Sequence, residues 1–148
     1  MKNTILSLFL FLCMSVQAQS FDLKFDHYSM VVLDLSKTGD FYADILGLKE
    51  IPHPSNAEGF RWFSVHGNSQ LHLIKKETIS GERNKSAHLC LATNNLYQLI
   101  EHLKQKDVPF WDWAGTKYAI TDREDGVQQI YLQDPEGNWI EINTAKHL

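Results

Sequence analysis

The chain has 148 residues, 43% of them hydrophobic, with 14 basic and 18 acidic side chains and a formal charge of −4, which is ordinary globular composition. Acids and bases are interspersed, so no basic stripe suits nucleic acid and no polybasic patch suits a membrane surface. A small molecule or another protein is therefore the expected partner.

The first segment, MKNTILSLFLFLCMSVQAQS, departs from this composition. Lys2 gives a positive start, Ile5 to Val16 is an apolar run, and Val16-Gln17-Ala18 offers small residues for a peptidase. This predicts a signal peptide over 1–18 and an exported chain, periplasmic or secreted, with no membrane attachment after cleavage. Cys13 lies in that segment, and Cys90 alone follows it, so the remainder has no partner for an intramolecular disulfide. The remaining chain, about 130 residues, is long enough for one domain with a core of its own.

From His27 the elements come in a fixed order. HYSMVVLDL reads as a strand, and SKTGDFYADILGL as a helix with Phe41, Tyr42, Ile45 and Leu46 on one side and Gly47 as a stop. KEIPH, GFRWFSV and SQLHLIKK read as three further strands, and the polar run ETISGERNK as a linker. The order then repeats. HLCLATNNL is a strand beginning at His88, and NLYQLIEHLKQKDVPF is a helix with Leu96, Leu99, Ile100 and Leu103 at helical spacing, ending before Pro109. PFWDW, GVQQIYLQ and NWIEIN are the closing strands, and the polar stretch AGTKYAITDRED at 114–125 reads as a loop. A Gly-Asn turn precedes the last strand of each half, at Gly67-Asn68 and Gly137-Asn138.

The chain is thus written twice. It predicts an α+β fold of two βαβββ modules, 23–76 and 86–146, joined by a linker at 77–85 into one domain over 23–146, the sheets curving into a cup. Alternation of side chains along each strand assigns the faces. His72 lies opposite Leu71 and Leu73, and Glu141 opposite Ile140 and Ile142, so the apolar neighbours pack under the helices and the polar residues face the cup.

His27 and His88 fall at the same place in the two halves, and His72 and Glu141 at near-equivalent places. The spacing differs by one, five residues from Gly67 to His72 and four from Gly137 to Glu141, a difference a bulge absorbs. Imidazole nitrogen and carboxylate oxygen are good ligands for zinc, nickel, iron, cobalt or manganese. His53, His66, His102 and His147 have no repeat partner and are assigned no role.

These stretches resemble the vicinal oxygen chelate superfamily, the fold of glyoxalase I, fosfomycin-resistance enzymes and extradiol dioxygenases. DHYSMVVLDLSKTGDFYADILGLKE is similar to the family's opening strand and helix, and IYLQDPEGNWIEI to its closing hairpin; the likeness runs from about Phe25 to Asn143. It implies one divalent ion, zinc or nickel first, held by His27, His72, His88 and Glu141, and a homodimer. Dioxygenase and fosfomycin enzymes use the places of His27, His88 and Glu141; glyoxalase I-like members fill the fourth as well, usually with Glu where this chain has His72. The implied activity is a glyoxalase I-like lyase or isomerase acting on a small hydroxy-carbonyl, with Glu141 as proton-transfer base and His72 second. An extradiol-type dioxygenase and a metal-free binding or resistance protein are the alternatives. Trp62, Phe110, Trp111 and Trp113 are candidates for an apolar wall, and Arg61, Lys117 and Arg123 for an anionic substrate end.

Overall fold

The computed structural model describes residues 21–146; the signal-peptide expectation over 1–18 and His147 lie outside the described residues. Module one runs β1 (His27–Val32), α1 (Leu35–Asp40), a π-helical continuation (Phe41–Ile45), β2 (Lys49–Ile51), β3 (Phe60–His66) and β4 (Ser69–Lys75). Module two runs β5 (Leu89–Ala92), α2 (Leu96–Gln105), β6 (Phe110–Trp111), β7 (Thr121–Asp122), β8 (Gln128–Gln133) and β9 (Trp139–Asn143).

The two sheets have the same plan, β1-β4-β3-β2 and β5-β9-β8-β6. In each, the first strand runs parallel to the last and the rest are antiparallel. This is the expected α+β architecture. The helix of each module is the crossover that lets its first strand return parallel to its last.

Local chemistry sets the boundaries. The Asp34 side chain caps α1 by accepting from the Lys37 amide at 2.9 Å. The helix then widens into a π turn, which buries Phe41 and Tyr42 side by side. It stops where Gly47 takes φ +69°, a conformation that favours glycine. β2 ends at Ile51, shorter than KEIPH, since Pro52 has no amide proton for the ladder. The stretch 114–125 is not all loop. Thr121 and Asp122 pair with Gln129 and Gln128 as β7, through a tight turn at Asp125-Gly126 with Gly126 at φ +80°.

One core serves both modules. Met30, Val32, Phe63, Leu71 and Leu73 join Ile130, Leu132, Ile140 and Ile142 in a single cluster, covered by Phe41, Tyr42, Leu96, Ile100 and Leu103. The turn after β8 ties the halves together. Glu136 Oε1 accepts from the amides of Leu33 and Asp34 at 2.9 and 2.8 Å, and Asp134 Oδ2 lies 3.2 Å from the Tyr42 hydroxyl.

Candidate functional site

Sheet register shows how closely the halves correspond. In module one Ser29 pairs across to His72, two residues after His27; in module two Cys90 pairs across to Glu141, two residues after His88. His72 and Glu141 therefore hold equivalent places, on the face opposite the core. A register shift between Ser64 and His66 in the β3–β4 hairpin accompanies the longer spacing in module one. On the neighbouring strand, Trp62 faces His72 where Tyr131 faces Glu141.

The four residues come together as two pairs. In module two, His88 Nε2 stands 3.3 Å from Glu141 Oε2. Glu141 is 6% exposed and is served by three donors: Tyr131 hydroxyl at 2.6 Å, Asn143 amide at 2.7 Å and Cys90 thiol at 3.4 Å. Burial alone would raise its carboxyl pKa; the hydrogen bonds and His88 outweigh that and hold it below the ordinary value. The same contact works in reverse on the donors. Burial and the adjacent carboxylate push the Cys90 thiol up to about 12 and the Tyr131 phenol above its usual range.

His88 Nδ1 lies 2.7 Å from the Lys85 carbonyl oxygen. A carbonyl only accepts, so Nδ1 carries a proton and Nε2 is the nitrogen turned to Glu141. A neutral ring would then set a nitrogen lone pair against a carboxylate oxygen. A cation between them, either a proton or a metal ion, removes that repulsion. The donor set fits a divalent ion in chemistry: one imidazole nitrogen held by a backbone acceptor and one carboxylate held ionised by its neighbours.

Module one is built differently. His72 is sandwiched, its ring 3.7 Å from that of Trp62 with 6° between planes and 4.3 Å from that of His27 with 17° between planes. Burial, then the neighbouring His27, lowers its pKa, which keeps the ring neutral. A ligating imidazole has its metal in the ring plane at about 2.1 Å. Two stacked rings with nearly parallel planes share no point that close to both, so His27 and His72 do not serve one ion in this arrangement. Asp26 Oδ2 lies 2.6 Å from His27 Nδ1, which leaves His27 Nε2 as the ring nitrogen not engaged by Asp26, and Gln70 Oε1 engages His72 Nε2 at 2.8 Å.

Among the described residues no three His, Cys, Asp or Glu side chains form a metal-sized group. A cleft of about 770 Å³ lies between the modules; Gln70 and Cys90 line it, and His27, His72, His88 and Glu141 do not.

Of the other residues singled out from sequence, Trp113 packs against Tyr131 with ring centres 5.5 Å apart, and Arg123 is close enough to oppose the rise in the Tyr131 and Cys90 pKa values; the rest lie away from the two pairs. Phe110 is core, Trp111 packs against Trp139, and Trp113 is half-exposed. Arg61 binds Glu50 and Asp40, Arg123 binds Asp125, and Lys117 sits over Tyr118. The sequence reading missed Asp26, Gln70, Lys85, Tyr131 and Asn143. Tyr131 alone had a signal, since it matches Trp62 in the repeat.

Residues 24–142 match the model of the Glyoxalase/Bleomycin resistance protein/Dioxygenase superfamily. A virulence protein of Salmonella typhimurium is 25% identical over 126 residues, 81% of this chain and 83% of that protein. A glyoxalase family protein structure from Bacillus anthracis superposes with a TM-score of 0.71 at 21% identity, over 87% of this chain and all of the other. A lactoylglutathione lyase from Agrobacterium tumefaciens gives 0.63 at 17% identity, over 82% and 93%.

Proposed function

Because the chain belongs to the Glyoxalase/Bleomycin resistance protein/Dioxygenase superfamily, we propose that it is a divalent-metal-dependent enzyme whose substrate is a small molecule with two neighbouring oxygens. The ligands in this reading are His88, Glu141 and His27. The observation that carries it is the His88–Glu141 pair, 3.3 Å apart, with His88 Nδ1 committed to a carbonyl and Glu141 held ionised. A carboxylate stabilised in its charged form by three donors is a good ligand and takes up a proton poorly. Glu141 is accordingly assigned to holding the ion rather than to proton transfer.

Two histidines and one carboxylate are the ligand set of non-haem ferrous oxygenases, and they leave positions open for substrate. A divalent ion held there supplies a Lewis acid that polarises a substrate oxygen. Tyr131 and Asn143 keep Glu141 anionic, and the Trp62–His72 stack gives an apolar wall beside His27. The His72 stack supports the oxygenase reading, with three ligands. The lyase or isomerase reading draws on the place of His72 beside His27 and requires that ring to leave its stack and bind as a fourth ligand. His27 comes to the pair of module two from a second copy of the chain, making a homodimer; β1, an edge strand, exposes Tyr28 and Val31 for such a contact.

The test is metal content after reconstitution with zinc, nickel, manganese and ferrous iron, for the wild type, Glu141→Ala and His72→Phe. The phenyl ring keeps the stack and removes the nitrogens. We expect about one ion per site in the wild type, retention in His72→Phe and loss in Glu141→Ala. Loss in His72→Phe as well would favour the four-ligand lyase or isomerase. No ion in any of the proteins would leave a metal-free binding protein.

A further inference from the structure

Lys85 ends the linker, three residues before His88, and its side chain folds back over module two. The ammonium lies 4.5 Å from the centre of the Tyr131 ring, 5.2 Å from that of Trp139 and 5.5 Å from that of Trp113. It also donates to the carbonyls of Asp112 at 2.5 Å and Trp113 at 3.0 Å. Three rings and two carbonyls form a cage for one cation, which is an uncommonly specific mooring for a linker lysine. The backbone of the same residue does something else. Its carbonyl accepts from His88 Nδ1 at 2.7 Å, within a turn fixed by Asn84, whose side chain accepts from the Ser86 amide and whose carbonyl accepts from the Ala87 amide.

We propose that Lys85 is a positioning residue for His88: the caged ammonium fixes the linker's end, so that the Lys85 carbonyl holds the proton on Nδ1 and Nε2 is presented to the ion. This rests on the reading of His88 as a ligand. Backbone acceptors behind a ligating histidine fix both its tautomer and the direction of its ring. Here the acceptor sits in a polar run with no helix or strand of its own, 77–85, so its position depends on what anchors it. Tyr131 belongs to both devices. Its ring faces Lys85 and its hydroxyl donates to Glu141, so the two ligands of module two are oriented from a common side chain.

The experiment uses the purified protein with 15N-labelled histidine, the His88 signals being assigned by their absence in His88→Ala. Long-range 15N–1H spectra report which ring nitrogen is protonated, with and without zinc. In the wild type we expect Nδ1 of His88 protonated in both states. Lys85→Met keeps the length of the side chain and loses the cation; it should let Nδ1 lose its proton in part of the population and weaken zinc binding by roughly 10- to 100-fold. Lys85→Arg, which restores a cation and donors, should recover most of both. Trp113 is half-exposed, and Trp113→Ala, which removes one wall, should shift both readouts the same way by less. A Lys85→Met protein with the wild-type Nδ1 signal and zinc affinity would overturn the proposal. If the wild type binds none of zinc, nickel, manganese and ferrous iron, the metal reading fails, while the Nδ1 signal still decides the role of Lys85.

Discussion

Glu141 and His72 occupy equivalent places in the two modules and are kept in charge states by opposite means. Glu141 is buried, and donors from Tyr131, Asn143 and Cys90 hold it ionised. His72 is buried between two rings, and desolvation keeps it neutral. Both pKa values lie below those of the unfolded chain, 4.5 for a glutamate and 6.5 for a histidine. For Glu141 the stabilisation is present above pH 4.5 and is lost as pH falls through the folded value. For His72 the unfolded chain takes up the proton first, so stability falls as pH drops below 6.5, down to the folded value. The two effects have the same sign. These two groups should therefore lower the melting temperature between pH 7 and pH 4, opposed at the acid end by Asp134, whose burial raises its carboxyl pKa, and His72→Phe should remove the part that begins near pH 6.5 while keeping the part below 4.5. Calorimetric scans that superimpose for the two proteins between pH 7 and 5 would show that His72 contributes nothing to this dependence.

At the scale of elements, the turn from Asp134 to Asn138 holds the modules together. Asp134 Oδ1 accepts from the amides of Glu136 and Asn138, both at 2.9 Å, and its other oxygen meets the Asn138 side chain and the Tyr42 hydroxyl. Asp134→Ala removes the acceptor of four hydrogen bonds and leaves the buried Tyr42 hydroxyl only the weak acceptor Met30 Sδ at 3.2 Å. A loss of about 1–3 kcal/mol is expected, measured by urea denaturation. Glu136→Ala, at a more exposed carboxylate that serves two amides, should cost less. The closing hairpin was legible in the sequence because its pattern is redundant: alternation in QQIYLQ and WIEIN, and a turn signal between them. β6 was read too, as part of PFWDW, though it spans only Phe110–Trp111; β7 was not, since two residues carry no period, and the pairing of Thr121 and Asp122 is a consequence of the turn at Asp125-Gly126. The π turn was hidden for another reason. Phe41, Tyr42, Ile45 and Leu46 share a face in a wound or a widened helix alike. Of the site, the repeat exposed His27, His88 and Glu141. It did not expose Lys85, whose work is done by a backbone carbonyl and by rings from three separate segments.

For the whole molecule the question is how two pairs become one centre. Each module has a complete sheet with its own histidine at the start of the first strand, yet His27 and His72 stack on one sheet while His88 and Glu141 pair on the other. Duplication has given the chain two similar halves of a site, and a twofold axis between two copies would set module one of each against module two of the other. That arrangement has a consequence a single-chain site lacks. His27→Ala keeps an intact His88–Glu141 pair, and Glu141→Ala keeps an intact His27. Mixed and allowed to exchange subunits, the two variants form heterodimers in which one site is whole and the other doubly broken. With random pairing, about a quarter of the wild-type sites should be regained, read as bound zinc by equilibrium dialysis of the mixture, while each variant alone binds little. Light scattering of the same samples reports the dimer. A dimer that exchanges subunits without regaining zinc would place all the ligands within one chain, and would require His27 and the His88–Glu141 pair to approach each other within one protomer.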